Sequence, residues 1–279
     1  MNDNDKYCAA LVREVDRDRY LAALFAPADR RGALFSLYAF DIEISRIRDL
    51  AREPMPGEIR LQWWREVLEG GRAGEAAANP AAASLLATLA RYRLATAKLI
   101  EAVEAHRFDV YDEPMPTLAA FQSYASNTAG AIFDLATRIL GVTSEENAIE
   151  AGQARTIANV IALLPRHAAR RQLFLPLDML RQYGVEPDDV FAMRATPELR
   201  AVLAEFRLRA RRHLTRLAEV SAEIPQKVWP AFLPLAPLRP WLNAMERTKY
   251  QPFQAPELPA WRGQWRIWRA AKSLERISR

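Results

Sequence analysis

The chain has one cysteine, three histidines and five lysines among its 279 residues. A single cysteine, Cys8, excludes an intramolecular disulfide framework. His106, His167 and His213 are scattered and have no cysteine partners, so a structural zinc site is not expected, and any metal would need oxygen ligands. No apolar run reaches the roughly 18–20 residues that span a bilayer. The opening Met1-Asn2-Asp3-Asn4-Asp5 is polar and acidic, unlike a signal or transit peptide, which predicts a cytoplasmic location. Period-2 alternation bounded by turn residues is missing too, so strands are not expected. Neither an internal repeat nor a low-complexity linker divides the chain.

What is present is half hydrophobic by residue count, enough for a sizeable core. The formal net charge is +5, carried almost wholly by arginine. Between Pro259 and Arg279 stand Arg262, Arg266, Arg269, Lys272, Arg276 and Arg279 against Glu275, a local excess equal to that of the whole chain. The remainder is near neutral, which argues against a nucleic-acid-binding body and for an anion-facing tail.

Helical signals dominate. Ala81–Arg107, Leu118–Leu140, Ser144–Leu164 and Pro197–Ile224 are rich in good helix formers. Thr117, Ser144 and Thr196-Pro197 read as starts, and Gly141 and Gly184 as stops. Eight of the 18 prolines fall between Pro225 and Pro259, which predicts short helices and turns draped over the body. The expectation is an all-α domain over residues 1–258 and an amphipathic helix over 259–279.

Two segments carry the charge chemistry: Tyr38-Ala39-Phe40-Asp41-Ile42-Glu43-Ile44-Ser45-Arg46-Ile47-Arg48-Asp49, and Asn159-Val160-Ile161-Ala162-Leu163-Leu164-Pro165-Arg166-His167. Asp41 and Glu43, at i and i+2, point about 200° apart on a helix. Asp41 and Asp49 share a face but stand about 12 Å apart along the axis. Neither pair makes a compact metal site. The local reading is a helix-surface ion-pair ladder, with Arg46 paired to Asp49 at i+3. The alternative is that Arg46, Arg48, Arg166, Arg170 and Arg171 bind a phosphate or lipid headgroup directly, guanidinium being a good bidentate phosphate partner. His167 reads as a capping or satisfied residue, since no Ser, Cys or carboxylate partner is evident.

In order and spacing these segments resemble the squalene/phytoene synthase family. The supporting landmarks are Ala33–Phe40, Arg60-Leu61-Gln62-Trp63-Trp64-Arg65, Tyr124 with Ala129-Gly130, Gly152, Ala154, Asn159 and Leu175-Pro176-Leu177-Asp178. The resemblance implies a single-domain isoprenoid-synthase-type helical bundle around a central cavity. It also implies two Asp-rich clusters that hold magnesium against prenyl diphosphates, because the leaving diphosphate needs metal and the metal needs carboxylates. Carried over, the first cluster reads Ser45, Arg46 and Asp49. In the second, Leu163 and His167 stand at Asp positions, Arg166 at a Glu position and Ala162 at an Arg position. Phe133 replaces a glycine beside the family's tunnel. The implied cofactor is therefore none, with magnesium expected only if the chain is an active head-to-head prenyltransferase.

Phe40-x-x-Glu43, Arg60-Leu61-Gln62-Trp63-Trp64 and Arg170-Arg171-Gln172-Leu173-Phe174-Leu175-Pro176 resemble the branch containing mitochondrial complex I assembly factor 6 and its alphaproteobacterial relatives. That implies a non-catalytic accessory factor, with complex I subunits or assembly intermediates as partners. The rival is a genuine prenyltransferase. A third reading is a protein that binds an anionic lipid or isoprenoid in the old tunnel. In the tail, Trp261, Trp265 and Trp268 form one helical stripe flanked by Arg262, Arg266 and Arg269. The stripe either packs on the body or docks on a partner or on the cytoplasmic face of the inner membrane.

Overall fold

The Ala/Leu/Arg-rich stretches fold as helices in a computed structural model that describes residues 2–51, 53–111, 113–247, 249–254 and 259–278. No strand occurs among the described residues. In chain order the helices of the first half are α1 (Asp3–Val15), α2 (Arg17–Ala23), α3 (Ala28–Ser45), α4 (Ile47–Leu50), α5 (Pro54–Leu68), α6 (Ala73–Ala78), α7 (Pro80–Tyr92), α8 (Ala97–Ala105) and α9 (Arg107–Val110). The second half has α10 (Leu118–Ala125), α11 (Ala131–Ile139), α12 (Glu145–Ala162), α13 (Leu164–Ala169), α14 (Leu177–Gln182), α15 (Pro187–Phe191), α16 (Pro197–Glu219), α17 (Trp229–Phe232), α18 (Leu238–Ala244) and α19 (Ala260–Ala270).

The boundaries follow local chemistry. Thr117 and Thr196 accept the N–H groups of Ala120 and Leu199, so α10 and α16 start where the sequence predicts. Gly141 and Gly184 adopt φ of 87° and 70° and end their helices as expected. Ser144 caps nothing with its side chain, and its hydroxyl is instead bonded by Asn147. The helix expected over Ala81–Arg107 is three pieces. Arg93, at φ 52°, terminates α7 in the left-handed region, with the Leu94 N–H returning to the Leu89 carbonyl. A non-glycine residue in that conformation gives no signal in sequence.

The core is built by α1 and α7 against α3, and by α11 and α16 against α12. Phe35, Phe40, Phe121, Phe206 and Phe232 are fully buried, each contributing roughly 1.5–3 kcal/mol of transfer free energy. Phe121 meets Phe206 at 5.2 Å between centroids and ties α10 to α16. Phe133 stacks on Phe232 at 6.1 Å and fills the space between α11 and α17.

One close approach is sequence-specific. A π-helical turn over Ser126–Gly130 joins α10 to α11. A Cβ added at Gly152 of α12 would lie 2.4 Å from the backbone nitrogen of Gly130. Two backbones therefore touch where the family resemblance placed its glycines.

Candidate functional site

Each of the two motif segments breaks at a cluster position. Arg46 separates α3 from α4 with φ −96° and ψ 1°. Leu163 separates α12 from α13 with φ −91° and ψ 4°. In the second case Pro165 explains the break, since it has no N–H to give the Ile161 carbonyl. The two kinks face one another across a cleft of about 430 Å³. Ser45, Arg46, Arg48, Asp49, Tyr124, Asn159, Leu163, Arg166, His167 and Arg170 all line it. The structure thus brings together ten of the residues singled out from sequence. Arg171 is excluded from it: at φ 56° it turns to Asp188 and lies over the Phe191 ring.

Among the described residues the expected pairing of Arg46 with Asp49 is not made. The acids reach across helices instead. Asp49 is 3.2 Å from Arg166 Nη1 and also hydrogen-bonds Arg170, so both its oxygens are held by guanidiniums of α13 and its C-cap. Asp41 takes buried Arg19 of α2, and Arg19 also faces Asp16, whose carboxylate receives Arg155 at 2.9 Å. A kinked helix turns its acids away from its own next turn and toward the opposite wall, which is why i,i+3 spacing misled. Arg46 is exposed at the rim.

Among the described residues no three His, Cys, Asp or Glu side chains converge as a metal-binding group. The cleft lining holds six arginines and four aspartates. Burial costs Arg19 its hydration, but Asp41 and Asp16 raise its pKa on balance.

The same cleft holds a trio of which the sequence reading named Tyr124 but not its partnership with His106 and Asp109. Asp109 receives His106 Nδ1 at 2.6 Å on one oxygen and the Tyr124 hydroxyl at 2.8 Å on the other. Gln172 bonds the Asp109 carbonyl at 2.8 Å. Burial disfavours the imidazolium of His106, yet the Asp109 charge and hydrogen bond outweigh it and raise the pKa. Burial, then Asp109, raises the Tyr124 pKa well above its usual value. The available signals were the i,i+3 spacings His106/Asp109 and Asp16/Arg19, which are too common to single out.

His167 behaves differently. Burial, reinforced by Arg166 and Arg170, lowers its pKa to about 4. The ring packs on Phe174 at 4.6 Å, and Nδ1 has no hydrogen-bond partner among the described residues. It is neither a cap nor satisfied, contrary to the sequence expectation.

The tail lies elsewhere. On α19, Ile267 and Ala270 are buried, while Trp261, Trp265 and Trp268 are 61%, 46% and 48% exposed. The tryptophans point about 150° around the helix from the buried pair. They do not pack as core. Arg269 lies over the Trp265 ring at 4.6 Å and Lys272 over Trp268 at 3.6 Å. No helix among the described residues is long and apolar enough to cross a membrane.

Comparison with known proteins matches residues 12–269 to the profile of the Squalene/phytoene synthase family. The human protein "NADH dehydrogenase (ubiquinone) complex I, assembly factor 6" is 28% identical over 252 residues, 89% of this chain and 76% of the relative. Squalene synthase HpnC from Alicyclobacillus acidocaldarius superposes with a TM-score of 0.76 at 25% identity, covering 90% of this chain and 95% of that one. A dehydrosqualene synthase in complex with ligand gives 0.81 at 17% identity over 98% and 96% of the two chains.

Proposed function

The chain belongs to the squalene/phytoene synthase family, and from that premise we propose that it is a non-catalytic accessory factor for assembly of a respiratory NADH dehydrogenase. The observation that carries this reading is the state of Asp49, the one acid left at the cluster positions. Magnesium takes near-octahedral oxygen coordination and binds through carboxylates. Here both oxygens of Asp49 are already engaged by Arg166 and Arg170, and the neighbouring cluster positions offer Ser45, Leu163 and His167. That donor set does not fit a magnesium cluster, so no step through a metal is derived. Similarity to complex I assembly factor 6 over most of the chain supports the assembly role. The exposed tryptophan stripe with its cations supports a peripheral position on the cytoplasmic face of the inner membrane. Complex I subunits or assembly intermediates are the proposed protein partners.

The test has two arms. Purified protein with farnesyl or geranylgeranyl diphosphate and magnesium is expected to release no diphosphate above the protein-free rate. Deletion of the gene is expected to lower assembled complex I on native gels while leaving carotenoid and hopanoid content unchanged. Magnesium-dependent turnover, or loss of an isoprenoid product with intact complex I, would replace this reading with a prenyltransferase of unusual ligands.

A further inference from the structure

A second and larger opening lies beneath α19, about 860 Å³ between α2, α12, α18 and α19. That is within the size range of ligand sites. Its lining is apolar along Ala158, Leu238, Pro240 and Trp241, with Trp261 and Trp265 at the edge. Arg155, Asn159 and Ala162 line both this groove and the motif cleft, so the two share a wall along α12.

The charge at its edge is predominantly positive. Arg17, Arg247, Arg262 and Arg266 line it with Asp18 as the one acid among the described lining residues. Asp18 itself is pushed up in pKa, by burial first. Arg247 and Arg266 make no ion pair or side-chain hydrogen bond among the described residues. Arg266 instead is partly desolvated and faces the like charge of Arg269. Guanidiniums that line one opening without a carboxylate partner are stabilised by an anion, and a planar fork suits a phosphate. An apolar channel that begins at such a rim suits a hydrocarbon chain.

We propose that this groove holds one acyl chain of an anionic phospholipid, its phosphodiester on Arg247 and Arg266 and its chain running along Leu238 and Trp241 toward Ala162. The inference rests on the membrane-peripheral reading only for the source of the lipid: the Trp face of α19 puts the rim at a bilayer surface. Charge complementarity selects phosphatidylglycerol-type headgroups over zwitterionic ones.

The experiment incubates the full chain with phosphatidylcholine vesicles containing phosphatidylglycerol, removes the vesicles by flotation, and measures lipid retained by the soluble protein by mass spectrometry. About one phosphatidylglycerol per chain is expected to stay bound. Ala162→Phe, at a half-buried position on the shared wall, should lower retention at least tenfold without changing vesicle flotation. The surface double variant Arg247→Glu/Arg266→Glu should remove the preference for phosphatidylglycerol. No retained phospholipid, equal retention by Ala162→Phe, retention without headgroup preference, or displacement by farnesyl diphosphate would overturn the proposal. Soluble dihexanoyl phosphatidylglycerol, titrated against tryptophan fluorescence, separates the two readings. If it binds wild type and not Ala162→Phe while the protein fails to float, the groove stands and membrane docking falls. If it does not bind, the groove falls whatever flotation shows.

Discussion

The motif cleft and the α19 groove share a wall and use the same cation for opposite ends. In the cleft, Arg19, Arg155, Arg166 and Arg170 each face an aspartate: Arg19 and Arg155 meet Asp16, Arg19 also meets Asp41, and Arg166 and Arg170 meet Asp49. At the groove Arg247 and Arg266 make no ion pair among the described residues, and Asp18 is the one acid in the described lining. A guanidinium opposite a buried carboxylate is a structural counterion, and removing it leaves an uncompensated charge. A guanidinium without one leaves its binding capacity open to a ligand. The difference teaches that arginines in a cleft do not by themselves make it an anion site. In the motif cleft four of them pair with aspartates.

Arg19 against Arg266 is the sharpest way to break that comparison. Arg19 is 6% exposed and closes two carboxylates from α1's C-cap and α3. Arg19→Ala is expected to cost about 3–5 kcal/mol, because Asp41 is left without its cation in a largely buried site, while Asp16 keeps Arg155. Arg266→Ala should change stability by less than about 0.5 kcal/mol. Chemical denaturation of the two variants side by side decides it. Equal small losses would mean that the cleft pairs are not structural.

A second effect is a pH dependence that only the cleft should show. The folded-state pKa of His167 is depressed to about 4, against about 6.5 in an unfolded chain. A depressed group leaves stability intact above the unfolded value and removes it as pH falls toward the folded value. Between about pH 6.5 and 4 the unfolded chain takes up a proton that the native cleft refuses, a loss of up to about 3 kcal/mol. His106 has the opposite sign. Its raised pKa supplies stability below about pH 6.5 that is lost as pH rises through the folded value. His167→Phe should therefore flatten the acid side of the stability profile and leave the side above pH 6.5 unchanged. An unaltered slope between pH 6.5 and 5 would remove His167 as its source.

Much of this was legible in the chain itself. Helix-forming composition and capping threonines point to an all-α fold, and the family resemblance, with Gly130 and Gly152 among its landmarks, implies the bundle in which ten residues meet at one cleft. Legibility ended where partners are set by tertiary contact. Nothing in Asp41–Asp49 says that its acids would pair with α2 and α13, because an i,i+3 arginine offers a nearer partner until the helix kinks at Arg46. The kink at Leu163 could be read from Pro165, whereas the one at Arg46 has no comparable residue. The His106–Asp109–Tyr124 trio joins two helices through one carboxylate, and only the fold makes the third member a neighbour. In the tail the stripe was visible but its direction was not, since a Trp face and an Ile267/Ala270 face serve equally well as the packed side of so short a helix.

The smallest effect tests how the two arginines of α13 and its cap act. Arg166 and Arg170 are 46% and 34% exposed in their side chains, so solvent screens their pairing with Asp49 and the double change to alanine should cost about 1 kcal/mol or less. Their influence on His167 is more direct. After burial they are the next causes that hold its pKa down, while Asp49 opposes them. With both removed, the Asp49 carboxylate faces the imidazole without rivals, and the His167 pKa should rise from about 4 toward the ordinary range near 6.5. An NMR titration of the ring protons reads this without any assay of function. A rise accompanied by a shallower acid slope would show that arginines in this cleft act on their neighbours, as counterion to Asp49 and repellent to His167. A pKa that stays put would assign the depression to burial alone, and the contrast between paired and unpaired arginines would then rest on Arg19 and Arg155.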